Sequence, residues 1–152
     1  MEITLRISKR AVLEEVATTT NYAGAKMDGD ERAYDRISVV DEDDSELQRF
    51  WDESRAEAAQ AFIRLLASEG MDGEDYELRL NVSVQFNEAL LPGMELGLFS
   101  YFVQSIVAKW YVYTNRQDVG TLEERAAAAL QEVKEKVYSK KMPTRPTYNQ
   151  EH

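Results

Sequence analysis

The clearest pattern along the chain is an alternation over residues 76–86. Tyr76, Leu78, Leu80, Val82, Val84 and Phe86 are apolar, and Glu77, Arg79, Asn81, Ser83 and Gln85 between them are polar. A period of two puts every apolar side chain on one face, which predicts a strand with that face in a core. Residues 2–8 repeat the pattern in miniature, with Ile3, Leu5 and Ile7 on one side. The two strands are expected to pair antiparallel, or the longer one to meet an edge supplied by a neighbouring subunit.

The remaining periodicity is helical. Ser8 is placed to cap a helix over 9–20 with Val12, Leu13 and Val16 inward, and the run Thr18-Thr19-Thr20-Asn21 is expected to end it. Residues 24–45 read as a loop holding the acidic run Asp41-Glu42-Asp43-Asp44. A long helix over 45–69 follows from the 3–4 spacing of Leu47, Phe50, Trp51, Ala58, Phe62, Leu65 and Leu66, with Gly70 as its C′ residue. Pro92 suits the first turn of a helix over 92–115. Leu98, Phe99, Phe102, Val103, Ile106, Val107 and Trp110 are spaced for burial there, while Leu96, Tyr101, Tyr111, Val112 and Tyr113 spread apolar surface round the circumference. Such a helix is central to a core or partly covered by another chain. A last helix over 121–139 has Thr121 and Glu124 at capping-box spacing. Beyond it, Pro143 and Pro146 bar a helix and favour an extended arm over 142–152.

The expected fold class is therefore mainly α. About four principal helices form a bundle with a small antiparallel β element, in a single domain over 1–141 with strands at 2–8 and 76–86. Leu47, Trp51, Phe62, Phe102, Ile106, Trp110, Leu130 and Val133 are the expected core.

Composition removes several kinds of chemistry. The 152 residues include no cysteine, so disulfides, zinc–thiolate sites and thiol nucleophiles are excluded, and the single histidine is His152. The acidic runs at 28–31 and 41–44 lack the glycine and glutamate spacing of a calcium-binding loop, and read as helix capping and solvated charge. No glycine-rich phosphate loop or nucleophile elbow is present. The expectation is a protein that is not an enzyme, with no cofactor, no metal and no small-molecule substrate. The apolar segment from Leu90 to Tyr113 is broken by Pro92, Glu95, Gln104 and Lys109 and reads as a buried helix, so no membrane partner is expected. The first residues lack the apolar stretch of a secretory signal, which suggests an intracellular location.

Charge is unevenly placed. The net charge is −10; residues 27–57 contribute −8 and residues 134–152 contribute +3. The acidic bulk repels bare nucleic acid, and the basic tail reads as a solvated end, as an arm that docks on a partner protein, or as a weak contact for phosphate.

Three stretches, read in order, resemble the head–tail connector (adaptor, neck) proteins of tailed phages and prophages. The capped acidic start Asp41-Glu-Asp-Asp-Ser-Glu-Leu47-Gln-Arg-Phe50-Trp51 is similar to the opening of that family's long helix. Leu91-Pro92 opens an apolar helix that closes on Lys109-Trp110-Tyr111-Val-Tyr-Thr-Asn115-Arg116, and Lys140-Lys141-Met-Pro143-Thr-Arg145-Pro146 resembles a basic, proline-containing arm. The resemblance implies a homo-oligomeric ring between portal and tail proteins, a virion location after assembly in the bacterial cytoplasm, and DNA passing through without specific binding. Acidic residues 28–46 would then face the channel. The residues expected to make protein contacts are Lys140, Lys141, Pro143, Arg145 and Pro146 in the arm, with Leu78, Leu80, Val82 and Val84 in the long strand. The reading from another class is a small acidic intracellular adaptor or inhibitor that presents its negative surface to a basic host protein.

Overall fold

In the computed structural model, residues 1–25 and 43–143 are described. The elements are β1 (Glu2–Ser8), α1 (Lys9–Ala25), α2 (Asp44–Ala61), β2 (Leu66–Asp72), β3 (Asp75–Asn81), α3 (Leu91–Thr114) and α4 (Val119–Lys136), with single 3-10 turns before α3 and α4. The fold is mainly helical with a small antiparallel sheet, as the periodicities require.

The sheet runs β1-β3-β2, so β3 is central and both its edges are taken. β1 pairs with β3 antiparallel over its whole length, Leu5 opposite Leu78 and Ile7 opposite Tyr76. The strand ends at Asn81, short of the expected residue 86. Val82 still exchanges backbone hydrogen bonds with Met1, and then the Phe86 amide donates to the Ser83 carbonyl and closes a turn.

The helix expected over 45–69 stops at Ala61; residues 62–65 turn, and 66–69 belong to β2. Leu65 and Leu66 satisfy either periodicity. The hairpin is decided by Asp72-Gly73: Gly73 has φ +63° and Glu74 does not share it, the pattern of a two-residue turn with glycine at its first central position. Gly70 consequently lies inside β2, and not beyond a helix end. The Arg55 guanidinium on α2 grips the Glu69 carboxylate at 2.8 and 3.3 Å and ties β2 to the helix that precedes it. That bond is the main reason the Arg55 pKa is raised.

Two helix boundaries also differ from expectation. α1 continues through the threonine run because Thr18 and Thr20 donate their hydroxyls back to the Glu14 and Ala17 carbonyls, at 3.0 and 3.1 Å. α4 begins at Val119 after Asp118, so Thr121 falls inside the first turn and caps nothing. Ser8 does cap α1, accepting from the Ala11 amide at 3.2 Å.

α3 is the axis of the molecule. α1, α2, α4 and β1 all pack on it. Its length and hydropathy match those of a membrane span, with a mean hydropathy of 1.3, but it is the core helix of this fold. Trp51 of α2 stacks on Phe102 at 4.6 Å and meets Tyr76 of β3 edge-on at 5.9 Å, which joins the three layers at one aromatic cluster. Beside it, the Tyr101 hydroxyl donates to the Ser54 carbonyl and the Ser54 and Ser105 hydroxyls share a 2.8 Å hydrogen bond. Gly97 lets α4 approach: a Cβ there would lie 2.8 Å from Val133 Cγ2. Of the expected core, Leu47, Trp51, Phe62, Phe102, Ile106 and Val133 are buried, while Trp110 and Leu130 are half-buried at its margin.

Asn115 ends α3. Its amide donates to the Tyr111 carbonyl and its side-chain Nδ2 donates to Asp118 at 2.8 Å. The chain turns there through one 3-10 turn into α4. The Asn-Arg pair is thus a helix-hairpin closure, with Arg116 Nε donating back to the Val112 carbonyl.

The sheet face away from the helices carries an ion-pair triad. Glu77 accepts from Arg6 at 2.5 Å and from Arg79 at 2.8 Å, and only 7% of its side chain is exposed. The two guanidiniums hold its carboxyl below the usual carboxylate range, Arg79 contributing most. A lowered folded pKa contributes stability above the unfolded value of about 4.3 and loses it as pH falls through the folded one. Wild type should therefore melt above Glu77→Gln at pH 7, with the gap closing as both are titrated below about pH 4. A gap that stays constant across that range would place the effect outside the carboxylate's charge.

Candidate interaction surface

The segment that leaves the domain is built at the end of α4. Phe86 and Lys140 form an isolated antiparallel bridge. The Asn87 amide donates to the Ser139 carbonyl at 3.1 Å and the Lys141 amide to the Gln85 carbonyl at 2.8 Å. These bonds hold 139–141 extended against 85–87. Lys140, Lys141 and Pro143 are exposed, and Met142 between them is 89% exposed. Arg145 and Pro146 lie outside the described residues, as do the acidic residues 28–42 assigned above to a channel wall.

The structure redistributes the other predicted contact residues. Leu78 and Leu80 are fully buried and Val82 nearly so, because β3 is an interior strand with its apolar face against the helices. They are core residues with no surface for a partner, and no β3 edge is open to another subunit. Only Val84 is exposed, at 77%, and it sits in the turn after the strand.

A different apolar surface lies along α3. α1 and α4 flank it over residues 96–107, with a groove of about 350 Å³ between them among the described residues. Leu96, Phe99, Val103 and Val107 line its floor at 3–4 spacing, with Val103 and Val107 buried and Phe99 half-buried. Glu15 stands on the α1 wall, and Leu122 and Arg125 on the α4 wall. Leu96 is 68% exposed. Within the floor, Gln104 Oε1 is buried with no hydrogen-bond partner among the described residues. A buried acceptor left unpaired costs about 1–3 kcal/mol. The sequence signal for this groove was the excess of apolar positions round α3; periodicity gives a helix's apolar arc but not which neighbours cover it.

Among the described residues no cluster of three His, Cys, Asp or Glu side chains is arranged to hold a metal. A wider hollow of about 530 Å³ between the starts of α1 and α2 mixes Lys9 and Arg10 with Glu14, Asp44 and Glu74, so acids and bases nearly balance on its walls. No protein-family model matches the chain, and no curated protein or solved structure matches it.

Proposed function

We propose that this chain is a structural subunit of a phage or prophage neck, assembling as a ring between portal and tail around the DNA channel. The observation that carries the reading is the chain's exit: residues 139–141 are held extended against 85–87, and the basic, proline-bearing sequence that begins there has Lys140, Lys141, Met142 and Pro143 exposed. An arm of that composition loses little entropy when it docks on a neighbouring subunit or the portal. The exposed Leu96 and half-buried Phe99 on α3 support the same reading, since exposed apolar side chains are typical of subunit contacts. Of the net −10, residues 134–152 carry +3, so the remainder carries −13, and a channel built from such subunits offers DNA few phosphate sites. Catalysis, cofactors and small-molecule substrates have no part in this proposal.

Light scattering across a concentration series, with negative-stain images of the heaviest fraction, tests it. Closed rings of about a dozen copies are expected, because heterologous contacts that close give cyclic symmetry. A monomer or dimer at every concentration, with and without a portal, would overturn it and favour the acidic adaptor. That rival also predicts binding to a basic protein that weakens steeply with salt.

A further inference from the structure

We infer that the hollow where α2 and α4 end binds an organic anion, a carboxylate or phosphate ester carried on an apolar or aromatic body. The hollow measures about 380 Å³, and its walls include Gln60, Ile63, Arg64 and Leu65 at the end of α2 and Lys134 and Tyr138 at the end of α4. Small-molecule pockets run from about 300 to 1,000 Å³. Its charged side chains are both cationic, and no acid lines it. Among the described residues neither the Arg64 guanidinium nor the Lys134 ammonium has an ion pair or a hydrogen bond. The acids within five residues of the lining are Glu57, Glu69, Glu132 and Glu135, and each is engaged elsewhere. Glu57 holds Lys109 and Glu69 holds Arg55, each at 2.8 Å. Glu132 holds Lys136 and Glu135 accepts from Gln131, each at 3.3 Å. A chain of net −10 thus keeps two cations on one hollow with no acid in contact with either.

The two cations and their neighbours set the ligand's chemistry. Arg64 offers a planar fork of N–H donors that matches a carboxylate or phosphate edge, and Lys134 adds a point charge. Ile63 and Tyr138 are 56% and 60% exposed, so the body of the anion has an apolar side chain and a ring to lie on. α2 ends at Ala61 and α4 at Lys136, and helix C-termini favour cations, which is why both charges can stand there without acids. The same carbonyls act against a bound anion, so affinity in the millimolar range is expected. The inference stands apart from the ring.

The test is a titration of the full-length, isotope-labelled protein at low salt, read by amide chemical shifts. Phenyl phosphate is expected to shift residues 60–65 and 134–138 saturably, and to bind about tenfold more tightly than inorganic phosphate, which lacks the ring. Phenol, which lacks the charge, should not saturate. Arg64→Gln and Lys134→Gln should each weaken phenyl phosphate about fivefold, the worth of one charge contact near the surface. Neither should move the melting temperature by more than about 2 °C. Lys140→Gln, which lies outside the lining, should leave binding unchanged. The peptide acetyl-Phe-Asp-amide brings the same chemistry on a protein chain. Saturable binding of either probe at these residues supports the inference, and the tighter one names the source. Shifts that never saturate would overturn it. So would an equal loss in Lys140→Gln and Lys134→Gln, because a diffuse field and not the hollow would then hold the anion.

Discussion

Trp51→Ala is expected to lower the melting temperature by ~10–20 °C in far-UV circular dichroism, the equivalent of about 3–5 kcal/mol for deleting a buried indole from a chain of this size. Trp51 has no exposed surface, and it is the residue at which α2, α3 and β3 meet through Phe102 and Tyr76. The void cannot be refilled cheaply, because its neighbours are themselves rings fixed by separate elements. Against a typical total of about 5–15 kcal/mol, such a loss leaves the variant close to unfolding at 37 °C. Trp51→Phe should behave differently. It keeps the stack on Phe102 and removes an indole Nε1 that has no hydrogen-bond partner among the described residues. Losing a buried, unpaired donor recovers part of the lost packing, so this variant should stay within about 1.5 kcal/mol of wild type. If Trp51→Ala proves mild, the three-layer junction is not where the stability of the fold is concentrated.

Ending the chain after Lys141 is expected to abolish ring formation while shifting the melting temperature by less than about 2 °C, the range of surface changes that touch no packed feature. The two backbone bonds at the arm's base, Asn87 to Ser139 and Lys141 to Gln85, survive the truncation. Met142 and Pro143, the first residues removed, are exposed. The two quantities are read on one sample, melting by circular dichroism and mass by light scattering. A truncated chain that melts many degrees lower would make the arm part of its own domain's core, and one that still forms rings would remove the arm from assembly.

The fold was legible wherever one periodicity excluded the other. β1 and the first half of β3 alternate without exception and stand as expected. α3 and α4 carry long 3–4 spacings and differ from expectation by one to three residues at their ends. The region 62–72 was not legible by periodicity, because its leucines fit a helix face and a strand face equally; the Asp-Gly pair that decides the hairpin resembles a helix terminator just as well. α1 outlasted its low-propensity threonines, of which Thr20 is buried with its hydroxyl bonded back to the Ala17 carbonyl, so that no polar group is left unmet there. Contact residues were less legible still. Alternation in β3 gives two faces, but whether a strand lies at the centre or the edge of its sheet depends on what else pairs with it. Because β2 was read as helix, β3 was left with an apparent free edge. The apolar excess round α3 is visible in the sequence, but the groove also depends on the spacing between two flanking helices, which is a tertiary quantity.

The sheet order has a consequence for how the molecule is made. β2 and β3 are joined by a two-residue turn, and α3 and α4 by a single 3-10 turn, so both pairs can form from neighbouring residues within microseconds of collapse. β1 has no such local partner: Ile3 faces Leu80 across about half of the chain. Its hydrogen bonds repay the closure of that loop only after β3 is in place. On a ribosome the first strand to emerge is thus the last to be paired, and it waits as an unmatched apolar edge until residue 81 has been synthesised. The amide of Arg6, which donates to the Glu95 carboxylate of α3 at 3.0 Å, is the latch that shuts behind it.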